Sequence, residues 1–146
     1  MSRARGPAPH EQSGPAPHEQ ISQLAADWAP ALARLLLGAV LAWFGCHELV
    51  QPGLWTGYVP VLSPTSDLAV ILVLAHGWVL LLLAVALIAG IVPRAAAAVA
   101  AVMLLEIVIS LAATGGLSDL TLRDVGVLGL AVCLSGIPGQ RLILRR

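Results

Sequence analysis

Charged residues are scarce in this chain of 146 residues. They make up 11% of the sequence, whereas a soluble domain has about 25%. Hydrophobic residues make up 58%, and the mean hydropathy is +0.89. Lysine is absent, so all eight basic residues are arginines, and the formal net charge is zero. This composition excludes a basic surface for nucleic acid and indicates a membrane protein.

Cysteine is also rare, and the two cysteines do not form the Cys-x-x-Cys motif of thiol-exchange proteins. Along straight helices, Cys46 would lie about 22 Å from the inner end of its segment, and Cys133 about 6 to 8 Å from the inner end of its own. Bridged cysteines have Cα atoms within about 7 Å of each other. We therefore expect no disulfide between them. The first thirty residues lack the apolar core of a signal peptide.

Four apolar segments have about the 20 residues that a membrane-spanning helix needs. They are residues 31–50, 68–92, 95–113 and 120–137. None has the alternating polarity of barrel strands. The sequence therefore predicts an all-α fold, an integral membrane four-helix bundle over residues 31–138. Little chain remains for a soluble catalytic domain.

The two ends of the chain differ from this apolar middle. Residues 6–20 hold two copies of Gly-Pro-Ala-Pro-His-Glu-Gln, and their proline and glycine content predicts disorder. Residues 1–30 are accordingly predicted to be a disordered cytoplasmic tail with a short interfacial lead, and residues 139–146 a basic cytoplasmic tail. If the chain starts inside, every arginine except Arg123 lies on the inner side. The positive-inside rule then predicts a multi-pass plasma-membrane protein with both termini in the cytoplasm.

Glu106 places a carboxyl group near the middle of the third segment, where an ionisable side chain costs about 2.5 to 3.5 kcal/mol. At 1.5 Å per residue it lies about 18 Å from the inner end of its helix. His76 falls near the same depth in the second segment, and the turn Pro93-Arg94 makes these segments neighbours. We predict that His76 and Glu106 are in contact. Both are candidate catalytic residues, although a purely structural pair is the alternative.

Four more ionisable residues lie near the outer end of the predicted bundle. His47 and Glu48 close the first segment, and Arg123 and Asp124 open the fourth. Adjacent helical residues diverge by about 100°, so one member of each pair can point inward. These four are candidate substrate-binding residues. Snorkelling toward the headgroups is the alternative for all of them.

Residues 51–66 form a connection longer than the usual 2 to 8 residues of a helical bundle. We expect this loop to lie in the outer interface as a partial lid, with its larger side chains Trp55, Tyr58 and Leu62. On the first segment, Gly38 and Gly45 belong to a small-residue face that lets another helix approach closely.

The stretch Arg34-Leu-Leu-Leu-Gly-Ala-Val-Leu-Ala-Trp-Phe-Gly-Cys-His-Glu-Leu resembles the DoxX family of small four-helix bacterial membrane proteins. So does Arg123-Asp-Val-Gly-Val-Leu-Gly-Leu-Ala at the start of the last segment. The resemblance covers about residues 34–137, and its matching ionisable positions are Glu48, Glu106, Arg123 and Asp124. It implies a membrane subunit in redox or respiratory chemistry, similar to that of a thiosulfate:quinone oxidoreductase, with a quinone or small-molecule site in the outer half.

In that interpretation, Arg123 would hold an anionic substrate or a quinone carbonyl, while Glu106 and His76 would exchange protons. The sequence has no haem, flavin or iron-sulfur signature, so electrons would come from a redox partner protein or a bound reductant. Whether the chain is itself an enzyme stays open. The alternatives are a small-solute or proton transport protein, and a non-catalytic scaffold for a soluble oxidoreductase. The expected partners are the lipid bilayer, the redox protein and further copies of the chain; no metal site is predicted, because the ligands are scattered over four helices.

Overall fold

The computed structural model describes residues 17–138 and residue 143. Within them the fold is all-helical and has no strand. The helices are α1 (Pro17–Val50), α2 (Asp67–Ala89), α3 (Pro93–Gly115) and α4 (Asp119–Gly136). Two 3-10 turns, Pro52–Leu54 and Thr56–Tyr58, lie between α1 and α2. For these residues the predicted all-α class is confirmed.

Three helices are long and apolar enough to cross a membrane: His18–Val50, Asp67–Ala89 and Pro93–Gly115. Their outward faces carry many exposed large apolar side chains, as expected for helices in contact with lipid. Examples are Leu36, Trp43, Leu82, Val102 and Ile109. The fourth helix is shorter, at 18 residues, and has charged residues in its first two turns. Length and composition alone therefore support three membrane helices.

The first helix begins at Pro17, well before the predicted start at residue 31. Residues 17–30 are helical, so the helix includes the predicted interfacial lead and the last four residues of the segment 6–20, which was predicted to be disordered. Proline suits the first position of a helix because its missing N–H would be unpaired there anyway. Glu19 in the first turn interacts favourably with the helix dipole. Residues 1–16 and the predicted basic tail, apart from Ile143, lie outside the described residues.

Short polar or glycine caps define where the other helices begin and end. The Ser66 side chain accepts from the Ala69 N–H at the start of α2, and Ser118 accepts from the Thr121 N–H at the start of α4. The second helix ends at Gly90, whose φ of 71° is left-handed. The turn to α3 therefore precedes Pro93. The prediction of a Pro93-Arg94 turn is wrong, because proline opens α3 instead.

The helices pack as two pairs. The first packs chiefly against α2 and the third chiefly against α4, while α2 and α3 share a smaller contact despite their short connection. The predicted contact between α2 and α3 is therefore present, but it is smaller than the contact within either pair. Leucine and alanine side chains join the pairs at the end remote from residues 51–66. Members of this core are Leu37, Leu41, Leu80, Leu83, Leu87, Ala97, Ala100, Leu104, Ala131 and Leu134.

The small residues of α1 lie against α2, as predicted. A Cβ added to Gly38 would lie 2.7 Å from Cγ1 of Ile88 and 3.2 Å from the Ala84 carbonyl oxygen. Gly45 is equally close to α2, one turn before Glu48. These glycines permit the close approach of the two backbones, and this approach positions the polar residues described next.

Candidate functional site

A cavity of about 410 Å³ lies at the loop end, meaning the end of the fold that carries residues 51–66. All four helices and the loop contribute to its wall. Most wall residues are aliphatic, and the volume falls within the ~300–1,000 Å³ of small-molecule sites. The polar side chains of the wall belong to Glu48, His76, Glu106, Ser110, Arg123 and Asp124. The cavity therefore combines an apolar body with a concentrated set of ionisable groups.

His76 is bound to the last turn of α1. Its Nδ1 lies 2.8 Å from Oε2 of Glu48, whose side chain is only 7% exposed. When Glu48 is ionised its carboxylate can only accept, and Nδ1 of His76 then donates this hydrogen bond. In neutral His76 the other ring nitrogen, Nε2, is then an acceptor. Glu48 thus sets the tautomer of the imidazole.

His76 lines the cavity, and its second ring nitrogen is not bound by Glu48. Nε2 is buried and has no hydrogen-bond partner among the residues that the structure describes. The nearest carboxyl oxygen is Oε2 of Glu106, at 3.7 Å, which is beyond hydrogen-bond length. Glu106 itself is 58% exposed. The structure therefore brings the side chains of His76 and Glu106 to within 3.7 Å of each other, but Glu48 is the closer partner of the imidazole.

Arg123 and Asp124 lie on the far side of the cavity from α2. Nε and Nη2 of Arg123 are each 2.9 Å from the same oxygen of Asp124, Oδ1. The Arg123 guanidinium also lies 5.2 Å from the centroid of the Phe44 ring. Although adjacent helical residues were expected to point apart, both line the cavity, because the long Arg123 side chain folds back over the buried Asp124.

The loop covers the cavity through its aromatic residues. Trp55 and Tyr58 line the wall, and Trp55 meets Phe44 edge-to-face with the ring centroids 5.8 Å apart. Ser110 Oγ of α3 donates to the Tyr58 carbonyl and holds the loop in place. Trp55 Nε1 is buried and has no hydrogen-bond partner within residues 17–138 or at residue 143. The predicted lid is therefore formed by Trp55 and Tyr58, and Leu62 is not in the cavity wall.

His47 is the one predicted site residue that lies away from the cavity. Its ring packs against Trp43, with the centroids 4.9 Å apart, on another face of α1. Cys46 and Cys133 are both free and exposed. In the part of the chain that the structure describes, no group of three His, Cys, Asp or Glu side chains is placed to hold a metal ion.

Sequence reasoning missed Phe44 and the buried Nε1 of Trp55. Phe44 precedes Glu48 by four residues, which puts both on one helix face, so this spacing was a usable signal. No local signal indicates that Trp55 Nε1 is buried, since burial depends on how the loop folds over the helices. The partnership of Glu48 with His76 was likewise missed.

Comparisons of the chain with protein-family models, with curated proteins and with solved structures gave no match. Function is therefore inferred from the geometry of the cavity. Chemically, the cavity wall offers two carboxylates on either side of an imidazole, together with a guanidinium–carboxylate pair. Such a set can accept, hold and release a proton beside a bound apolar molecule.

Proposed function

We propose that the chain is an integral membrane protein in which all four helices cross the bilayer. Three helices have the necessary length and apolarity, and α4 packs along α3 over much of its length. The arginine distribution supports cytoplasmic termini and a cavity that opens toward the outer face of a bacterial plasma membrane. A green fluorescent protein fused after Arg146 should therefore fluoresce, and an alkaline phosphatase fused there should be inactive. The opposite pattern would refute this orientation.

We further propose that the cavity binds the head group of a quinone and exchanges protons with it. The observation that carries this proposal is the orphaned Nε2 of His76 in the wall of an apolar cavity. A quinone has a flat apolar ring whose oxygens accept hydrogen bonds in the oxidised form and also donate them in the reduced form. His76 Nε2 donates when the ring is protonated and accepts when it is neutral. His76 Nε2 can therefore change between donor and acceptor when the quinone is reduced or oxidised.

The residues around His76 would support this proton exchange. Glu48 holds Nδ1 and stabilises the imidazolium form. Glu106, 3.7 Å from Nε2 and partly exposed, connects the imidazole with the surroundings of the cavity. Reduction of a quinone to a quinol takes up two electrons and two protons. In this scheme the chain supplies protons through His76 and Glu106, and a redox partner protein supplies the electrons.

The resemblance to the DoxX family favours the same function, because it implies a membrane subunit in redox or respiratory chemistry. The positions that carry the resemblance, Glu48, Glu106, Arg123 and Asp124, all belong to the cavity wall. Arg123 is paired with Asp124 and stacked on Phe44. Within this proposal it stabilises the aromatic side of the cavity and does not attract an anion.

Calorimetry on the protein in lipid nanodiscs would test quinone binding. A short-chain quinone should bind the parent protein, and His76→Ala should weaken binding about tenfold or more, the usual loss for a buried hydrogen bond to an ionisable group. His47→Ala is the matched control, because this histidine lies outside the cavity wall. Its affinity should equal that of the parent. Equal affinities for His76→Ala and the parent would end the quinone proposal.

Proton exchange has a separate readout. Repeating the titration in two buffers of different ionisation enthalpy counts the protons that accompany binding. An oxidised quinone offers only acceptors, so it should bind with proton uptake by His76, whereas the quinol should bind without it. We expect this difference in proton uptake between quinone and quinol to be lost in His76→Ala. It should persist in His47→Ala. Identical proton counts for quinone and quinol in the parent protein would contradict the mechanism.

A second function, transport of a small cationic solute, is favoured by the charges of the cavity. The wall has three carboxyl groups, of Glu48, Glu106 and Asp124, and only two basic groups, of His76 and Arg123. Acidic groups therefore outnumber basic groups by one, and Glu48 and Glu106 share His76. Uptake of an organic cation into liposomes that contain the protein, and its loss in Glu106→Gln, would support transport. Quinone binding without any such uptake would support the first proposal.

A further inference from the structure

Two residues of the cavity wall each have a buried nitrogen atom without a hydrogen-bond partner in the described part of the chain. One is His76 Nε2 and the other is Trp55 Nε1. Buried polar groups without partners are rare in folded proteins and call for an explanation. Because His76 and Trp55 line the same cavity, a single bound molecule could satisfy both nitrogen atoms. The proposed function rests on His76 Nε2, and Trp55 Nε1 is a separate observation.

Trp55 is chemically different from His76. The indole N–H can only donate, whatever the pH or the redox state of the ligand. His76 Nε2 changes between donor and acceptor with the charge of its ring. The two groups therefore require different atoms of one ligand, namely a permanent acceptor near Trp55 and an atom that can gain or lose a proton near His76.

Trp55 is also held in position. Phe44 packs edge-to-face against its ring at 5.8 Å, and Tyr58 lies beyond it at 6.2 Å. The adjacent turn is tied to α3 through the bond from Ser110 to the Tyr58 carbonyl. A donor on a fixed ring selects ligands by geometry as well as by chemistry, because it loses little conformational freedom on binding.

We propose that Trp55 is a specificity-determining residue of this site and donates its indole N–H to a second oxygen of the ligand. The cavity then selects rings that bear two oxygen atoms, one at the His76 side and one at the Trp55 side. This inference rests on the proposed ligand site and adds the requirement for a second oxygen. A ring with a single hydroxyl group satisfies His76 but leaves Trp55 Nε1 without a partner.

Two ligands of matched shape, handled without oxygen, test this requirement. In 4-methoxy-1-naphthol the hydroxyl can donate to His76 and the ether oxygen can accept from Trp55. In 4-ethyl-1-naphthol a CH₂ group replaces that oxygen. For the parent protein in nanodiscs, the ratio of the two affinities should favour the methoxy compound. In Trp55→Phe, which retains a ring against Phe44, that ratio should fall about tenfold.

Trp78→Phe is the matched control, since Trp78 is 60% exposed and outside the cavity wall. Its affinity ratio should equal that of the parent. An unchanged ratio in Trp55→Phe, while His76→Ala still weakens both ligands, would overturn the role of Trp55 and leave the proposed function standing. Failure of the parent protein to bind either naphthol would instead remove the ligand site, and the role of Trp55 with it.

A measurement on the unsubstituted protein keeps the test decisive if Trp55→Phe does not fold. The indole N–H of Trp55 gives its own ¹⁵N–¹H signal. Addition of the methoxy compound should move this signal downfield, because its proton enters a hydrogen bond. The ethyl compound should leave it near its original position. Equal shifts with both ligands would contradict a hydrogen bond to the second oxygen.

Discussion

The carbonyl oxygen of Gly77 lies 2.8 Å from the position that a Cβ atom on Gly45 would occupy. In return, a Cβ on Gly77 would lie 3.1 Å from the Gly45 carbonyl oxygen and 3.1 Å from Cβ of Glu48. Only glycines allow α1 and α2 to approach this closely. Their next neighbours on the two helices include Glu48 and His76, so the glycine contact allows the 2.8 Å hydrogen bond between them.

Gly45→Ala should therefore separate α1 from α2. We expect a loss of about 1 to 3 kcal/mol in the free energy of unfolding, as is typical for overpacking a close contact. The control is Gly126→Ala in α4, where an added Cβ meets no atom within 4 Å. This control should be neutral or up to about 1 kcal/mol more stable, since alanine favours the helix. Unfolding in mixed detergent measures both, and equal stability of Gly45→Ala and the parent would contradict the close-contact assignment.

Glu48→Gln should change the tautomer of His76. In the parent protein the carboxylate can only accept, so the proton of neutral His76 resides on Nδ1. A glutamine amide can accept or donate, and both tautomers should then be populated. The ¹⁵N chemical shifts of the His76 ring distinguish these forms, and the His47 ring serves as an internal control. A parent protein with its ring proton on Nε2 would refute the proposed bond direction.

Arg123→Met should leave the buried carboxylate of Asp124 without its partner. We expect destabilisation of about 1 to 3 kcal/mol, the typical penalty for an unsatisfied buried polar group. The double variant Arg123→Met/Asp124→Leu removes the carboxylate as well and should recover most of the loss. A double-mutant cycle of unfolding free energies checks this. Strictly additive losses would show that the pair contributes nothing to stability.

Ser110→Ala should loosen the loop over the cavity, because it removes the hydrogen bond to the Tyr58 carbonyl. Hydrogen exchange of the Tyr58 and Val59 amides should become about 2 to 10 times faster, which corresponds to the loss of one ordinary hydrogen bond. Ser135→Ala is the control, since that hydroxyl bonds only within its own exposed turn. Unchanged exchange in Ser110→Ala would mean that the loop is held by its aromatic contacts alone.

Some of the site could be predicted from the sequence and some could not. Counting residues along each helix was enough to predict that His76 and Glu106 lie at the same level. In the structure His76 Nε2 and Glu106 Oε2 are 3.7 Å apart. The same reasoning placed Glu48 nearer the outer end, among the candidate substrate-binding residues, and did not pair it with His76. The depth of a residue follows from its position along the helix. It does not give the direction in which the side chain points around the axis of α1. The rotation of α1 about this axis turns Glu48 toward α2 and His47 toward Trp43.

The α2–α3 turn shows a related limit. A short connection makes two helices antiparallel and adjacent, but it does not specify how tightly they pack. Gly38 and Gly45 draw α1 onto α2, and α3 packs mainly against α4. The two pairs therefore meet through the leucine and alanine core at one end and leave the cavity at the other.

The all-helical class, the apolar helices and most of their ends depend on local properties of the chain. Hydropathy, segment length, serine caps and glycine or proline at helix ends act over a few residues, and these can be recognised before the chain is folded. The choice of Glu48 as the partner of His76, the burial of Trp55 and the cavity itself depend on contacts between residues far apart in the chain. Such contacts arise from the rotation and spacing of packed helices, which small residues such as Gly45 and Gly77 govern only once both helices are present.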